Sequence, residues 1–202
     1  MIVRHWMTTN VVTINKEASI QEALALMKRD SIRHLPVVNA SQKLIGWATD
    51  ADLRGVLIAS MLEELTLEDV MVRKPFIATP DMPLEEAAKL ILEKKIGGLP
   101  VVEQGKLVGI ITVIDILLAF ITMMGMLSKS SRLDVKATGM ESPLHEITHL
   151  IREHSGEVIS ICQIPGTDDT EYVYSIRLKK CDLQPIVKEL EEKGIKVLSF
   201  LG

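Results

Sequence analysis

The chain has 202 residues, 47% of them apolar, a length and composition that suit one or two globular domains with sizeable cores. Its 23 lysines and arginines against 27 aspartates and glutamates give a formal net charge of −4. That balance supplies no broad positive field, which argues against a nucleic-acid polymer or an anionic membrane as partner.

Cys162 and Cys181 form neither a CxxC pair nor a disulfide framework, a usage that fits a reducing cytoplasm. Residues 1–6 show no basic segment leading into an apolar run, so no signal peptide is expected, and His5 and Trp6 read as a packing and surface pair. Residues 107–127 are apolar enough to imitate a membrane span, yet Asp115 interrupts them. A charged residue at mid-membrane costs about 2.5 to 3.5 kcal/mol on insertion scales, so the stretch reads instead as a short strand, a turn and a helix.

An internal repeat organises residues 1–127. Met7 answers to Met71, and Leu35-Pro36-Val37-Val38 answers to Leu99-Pro100-Val101-Val102. One residue is then lost in the turn, and Gly46-Trp47-Ala48-Thr49-Asp50-Ala51-Asp52 returns as Gly109-Ile110-Ile111-Thr112-Val113-Ile114-Asp115. Each unit reads as β-α-β-β-α. Residues 11–14 suggest a short strand; Ser19 and Glu22 have capping-box spacing. Ile20, Ala23, Leu24 and Met27 then trace a buried helical face that Leu84, Ala87, Ala88 and Ile91 repeat. Residues 35–38 and 44–48 form a predicted hairpin, as do 99–102 and 107–111, and a helix follows each heptapeptide. The second of these helices, residues 114–127, is apolar nearly all round, which predicts a subunit or inter-domain contact.

After a polar joint at residues 128–131 the pattern becomes β-α-β-β-α-β, the alternation of a ferredoxin-like sandwich. Leu133, Val135 and Ala137 alternate. Ser142 and Pro143 suit a helix start, and Leu144, Ile147, Leu150 and Ile151 give that helix its buried face. Strands are predicted at 157–164 and 171–178 around a turn-rich loop at 165–169. A helix starting at Asp182 and ending at Gly194 precedes a last strand at 195–200. The predicted divisions are therefore 1–64, 65–128 and 132–202, in an α+β protein.

The two Gly-x-x-Thr-x-x-Asp motifs place a hydroxyl and a carboxylate three residues apart at a strand-to-helix junction, beside backbone N–H groups that the first helical turn leaves unpaired. A carboxylate there can accept two hydrogen bonds from a sugar diol, and the hydroxyl and amides can meet a phosphate. The same residues can equally serve as helix caps.

With both motifs, the two Leu-Pro-Val-Val runs and the Met7-Thr8 start in register, residues 3–127 resemble a CBS-domain pair, or Bateman module. The last third resembles an ACT domain through its element order and Gly139. The order CBS, CBS, ACT is similar to that of the AcuB-type proteins linked by name to acetoin utilisation. The first resemblance implies a regulatory, energy-sensing, non-enzymatic receptor for AMP, ADP or ATP. Thr49 and Asp52 would serve one cleft, and Thr112 and Asp115 the other. It adds Ile32, Arg33 and His34 and the counterpart pair Gly97 and Gly98 before the Leu-Pro-Val runs, and Thr13 and Thr79 near the first strand of each unit. Arg33 and His34 are its phosphate cations, which the other cleft lacks. The second resemblance implies an amino-acid ligand near Gly139. A homodimer and a regulated partner enzyme are implied, with no cofactor; a scaffold that regulates an enzyme without any small ligand is the alternative.

His145-Glu146-Ile147-Thr148-His149 matches H-E-x-x-H, the zinc-protease helix motif, and Glu153 offers a third ligand one turn on. At 100° per residue, however, both histidines fall opposite Leu144, Ile147, Leu150 and Ile151. They are expected to be solvated, with no metal site. No other catalytic set stands out.

Overall fold

The computed structural model describes residues 1–62, 65–138, 143–165 and 171–202. Packing divides the chain into two compact units, Met1–Leu117 and Leu118–Gly202.

The first unit contains the repeat. A short 3₁₀ turn, Val3–His5, opens it. Helix α1 (Ile20–Arg29) starts at Ser19 with a complete capping box: the Ser19 hydroxyl accepts from the Glu22 N–H, and the Glu22 carboxylate accepts from the Ser19 N–H. Strands β1 (His34–Val38) and β2 (Leu44–Thr49) form a hairpin that leads directly into α2 (Asp50–Leu62). After the single turn α3 (Leu67–Val70), the pattern returns as α4 (Leu84–Lys94), β3 (Gly98–Glu103), β4 (Lys106–Thr112) and α5 (Val113–Met123).

The two hairpins carry the same ladder. His34 faces Thr49 as Gly98 faces Thr112, Val37 faces Gly46 as Val101 faces Gly109, and both ladders shift at the next residue. The strand predicted at residues 11–14 is reduced to one parallel bridge, Ile14 to Val37, matched by Ala78 to Val101. A parallel approach of this kind satisfies only one residue of the segment.

Within the first unit, each repeat lends its opening segment to the other. Trp47 of the first hairpin exchanges backbone hydrogen bonds with Val72, at 3.0 and 2.9 Å, and Thr8 does the same with Ile110, at 2.9 and 3.0 Å. Glycine makes this approach possible. A Cβ at Gly46 would collide with the Met71 thioether, and one at Gly109 would lie 2.7 Å from the sulfur of Met7. Leu67 and Val3, which follow the same exchange, are both fully buried. The first core gathers Ile20, Ala23 and Met27 from α1, Leu35 and Val37 from β1, and Leu53 from α2, with Leu67 and Met71 from the exchanged segment.

Helix α5 buries Ile116 and Ala119 but leaves Ile114, Leu117, Leu118, Phe120 and Met123 exposed. It ends at Met123, a turn earlier than its apolar composition suggested, and no helix among the described residues is long and apolar enough to cross a membrane.

In the second unit, β5 (Ser130–Thr138), α6 (Pro143–Glu153), β6 (Val158–Pro165), β7 (Glu171–Lys179), α7 (Gln184–Glu192) and β8 (Lys196–Leu201) build an antiparallel sheet of order β6-β7-β5-β8. Leu133 and Val135, with Tyr174, Ile176 and Leu178, form one sheet face. They pack against Ile147, Leu150 and Ile151 of α6 and Ile186, Val187 and Leu190 of α7. On the other face the Asp134 carboxylate accepts from the Ser175 and Ser199 hydroxyls at 2.7 and 2.6 Å. Asp182 accepts from the Gln184 N–H at 3.0 Å, so the last helix begins two residues beyond the position anticipated for it. The expected cap at Ser142, the ligand position Gly139 and residues 166–169 of the predicted turn lie outside the described residues.

Candidate functional site

Strand β2 ends at Thr49 and α2 begins at Asp50, whose N–H donates to the Arg33 carbonyl at 3.0 Å. That bond ties the residues before β1 to the strand-to-helix junction. Within the junction the Thr49 hydroxyl donates to Asp52 Oδ2 at 2.6 Å and accepts from the Asp52 N–H at 3.2 Å. The second copy is built alike. Val113 N–H donates to the Gly97 carbonyl, and the Thr112 hydroxyl donates to Asp115 Oδ2 at 2.7 Å. The first junction is exposed and the second part-buried. Both pairs therefore act as caps, and both fix a carboxylate at the mouth of a helix.

A cleft of about 990 Å³ opens at the first junction. Ile32, Arg33, His34, Thr49 and Asp52 line it from the first repeat, together with Met27, Lys28 and Trp47. From the second repeat come Ile96, Gly97 and Gly98, with Val72, Lys74, Phe76 and Lys95. Seven of the residues singled out in the sequence thus share one cavity. Thr112, Asp115, Thr13 and Thr79 do not line it. Thr112 and Asp115 occupy the repeat-related position. Thr13 and Thr79 stand two residues out of step, because the bridges make Ile14 equivalent to Ala78 and hence Thr13 to Ile77 and Asn15 to Thr79.

His34 does not project as a free cation. Its ring stacks on Trp47, centroids 5.5 Å apart at 28°, and a Cβ at Gly97 would come within 2.5 Å of its Nε2. Burial pushes its pKa down, Arg33 adds to the shift, and Asp52 opposes it. At neutral pH the imidazole is an uncharged wall of the cleft rather than the phosphate cation that its place in the sequence suggested. Gly97 is therefore more than a missing charge: its lack of a side chain is what admits the His34 ring.

The remaining charges are unequal. Arg54 is held by Asp50 through bonds of 2.7 and 2.9 Å, whereas Lys28, Arg33, Lys74 and Lys95 make no ion pair with a described residue. Phe76 is 47% exposed and carries Lys94 over its ring at 5.2 Å. The sequence reading missed Phe76 and the three lysines because single exposed side chains carry no pattern of their own. The repeat offset pairs Phe76 with Val12 and so could have found it, whereas the lysines pair with Leu92, Asn10 and Ser31 and leave no such signal.

On α6 the two histidines of H-E-x-x-H are exposed, their ring centroids 6.3 Å apart, while Ile147, Leu150 and Ile151 are buried behind them. His149 Nδ1 lies 3.3 Å from Glu153 on the surface. Among the described residues no group of three or more His, Cys, Asp and Glu side chains is placed to hold a metal ion.

Known proteins of the same build are numerous. An uncharacterised protein of Methanocaldococcus jannaschii, MJ1225, is 33% identical over 123 residues, which is 61% of this chain and 42% of that protein. The CBS domain-containing protein YhcV of Bacillus subtilis is 36% identical over 115 residues, 56% of this chain and 81% of its own length. The chain spans less than half the length of the first curated relatives it matches. Among solved structures, a putative acetoin utilization protein (AcuB) from Vibrio cholerae aligns with a TM-score of 0.57 and 34% identity over 62% of this chain and 94% of that one. The CBS domain pair of MJ0100, in complex with 5′-methylthioadenosine and S-adenosyl-L-methionine, aligns at 0.55 with 30% identity, covering 59% and 95%. CBSX2 in complex with AMP, a protein of Arabidopsis thaliana, aligns at 0.55 with 29% identity, covering 60% and 96%. The family model of the CBS domain matches residues 3–59 and again residues 67–122, more than half of the chain. These two matches coincide with the duplicated ladders and the exchanged segments, and the chain belongs to the CBS domain family, with two copies in tandem.

Proposed function

We propose that the chain is a regulatory module that binds an adenine nucleotide, AMP, ADP or ATP, in the cleft that holds Thr49 and Asp52. The single observation that carries this reading is the composition of that cleft: a fixed carboxylate, a hydroxyl, an exposed aromatic ring and unpaired cations around one cavity large enough for a small molecule. Asp52 would accept from the ribose hydroxyls, Phe76 and Ile96 would flank the base, and Arg33 with the Asp52 N–H would meet phosphate. Two solved relatives with the same fold, MJ0100 and CBSX2, hold adenosine compounds. In this reading the output is conformational. A ligand shifts such a module only by its differential affinity for two arrangements, and a tenfold preference is worth about 1.4 kcal/mol.

Helix α5 starts at the second motif and leaves a row of apolar side chains exposed, which supports a homodimer contact and a path by which occupancy alters dimer geometry. The divisions 1–64, 65–128 and 132–202 go with this reading. A second ligand class is favoured by one observation: the sheet order β6-β7-β5-β8 with two helices on one face is that of a ferredoxin-like unit, in line with an ACT-like amino-acid sensor. Thermal shift of the whole chain against AMP, ADP, ATP and a panel of amino acids tests both. A nucleotide-dependent rise in melting temperature that disappears in Asp52→Ala/Asp115→Ala is the expected result. No shift with any nucleotide favours a ligand-independent scaffold that regulates a partner enzyme.

A further inference from the structure

The repeat gives each cation of the cleft a counterpart of known identity. Lys28 corresponds to Leu92, Arg33 to Gly97, Lys74 to Asn10 and Lys95 to Ser31. The equivalence of the last pair is visible in the backbone, since Lys95 and Ser31 both take left-handed φ, 53° and 56°, just after their helices. Even the neutralised pair changes: Asp50 and Arg54 become Val113 and Leu117. Lys28 and Lys74 of the Thr49 and Asp52 junction thus give way to Leu92 and Asn10 at the Thr112 and Asp115 junction, while both junctions keep the carboxylate and hydroxyl.

A monophosphate carries a charge of about −1.5 to −2, which one or two cations satisfy. Four unpaired cations drawn from four separate segments exceed that need, and a longer anion offsets more of their mutual repulsion. Taking the nucleotide reading above as its premise, we infer that this cleft selects a nucleoside di- or triphosphate over a monophosphate, with Lys28, Lys74 and Lys95 holding the phosphates beyond the first. The repeat-related junction, with Leu92 and Asn10 in place of Lys28 and Lys74, holds such a tail less well.

The test is calorimetry of the full chain with ATP, ADP, AMP, adenosine and inorganic tripolyphosphate, at low salt and without divalent cations. The expected result is one tight ATP site per chain, with ATP preferred over AMP by about tenfold or more, as three added exposed charge pairs allow. That preference should shrink as salt screens it. In Lys28→Gln/Lys74→Asn/Lys95→Ser, whose substituted side chains are all on the surface, the ATP to AMP affinity ratio should fall toward one. AMP binding as tightly as ATP, or a triple variant that keeps the full preference, overturns this inference while leaving the nucleotide reading intact. Tripolyphosphate binding with no adenine compound bound overturns the nucleotide reading and keeps the polyphosphate assignment. No binding of any of the five overturns both.

Discussion

The two halves of the first unit share a ladder, a capping motif and an exchanged segment, yet they differ where the ligand would lie. The first keeps Arg33 and His34 at the approach to its hairpin; the second has Gly97 and Gly98. The difference is steric before it is electrostatic. His34 crosses toward Gly97 and leaves no room for a side chain at that position, so a second bulky group cannot be accommodated there. Asymmetry in a duplicated module can therefore arise from crowding near its midline, with the division of charge between the junctions built on top of it.

Breaking the partnership of the halves should have the largest effect. A fragment of residues 1–64 lacks Val72 and Met71, which complete its hairpin edge and core. It is expected to show no cooperative thermal transition by circular dichroism, and addition of the 65–202 fragment should restore one. A fragment that melts cooperatively by itself would show that the exchange is dispensable.

The next largest effect sharpens the contrast between junctions. Asp52→Asn removes a charged acceptor from the proposed ribose site and should weaken ATP binding by roughly ten- to a hundredfold, corresponding to about 1.5 to 3 kcal/mol. Asp115→Asn should leave ATP affinity within about twofold, since distant sites act independently. Equal losses in calorimetry would refute the assignment of ATP to one cleft.

A smaller effect probes the crowding itself. Gly97→Ala should cost about 1 to 2 kcal/mol in urea denaturation, because the added methyl meets the His34 ring. In a His34→Gly background the same substitution should cost little; a purely additive double variant would rule the contact out.

The smallest effect is on pH. His34 is depressed below its unfolded value of about 6.5 by burial. Its contribution to stability is complete above that pH. It is lost progressively as pH falls below 6.5 toward the folded value, since the unfolded chain then binds more protons. His34→Gln should flatten the stability profile over that interval; an unchanged slope would mean that the ring is solvated.

Much of this architecture was legible in the sequence because periodicity and repetition survive in one dimension. The equal spacing of Leu35-Pro36-Val37-Val38 and Leu99-Pro100-Val101-Val102 gave the hairpins and their register, and alternation of Leu133, Val135 and Ala137 gave the buried face of β5. What stayed hidden depends on distant contacts. Residues 11–14 look like a strand, but only Ile14 finds a partner. His34 looks like a ligand cation until Trp47 and Gly97 close around it. Thr13 and Thr79 match by residue type, and the bridges correct the pairing by two positions. His145 and His149 match a catalytic motif by spacing alone, and the helix turns them to the exposed face, as their angular position required.

The reciprocal loan of opening segments also bears on how the protein is made. During synthesis the first hairpin emerges before Val72, and Thr8 waits for Ile110, so neither half can finish while its counterpart is still unmade. A ribosome stalling within the second half would release a chain with an open strand edge and uncovered core residues, which is the condition that invites aggregation or capture by chaperones.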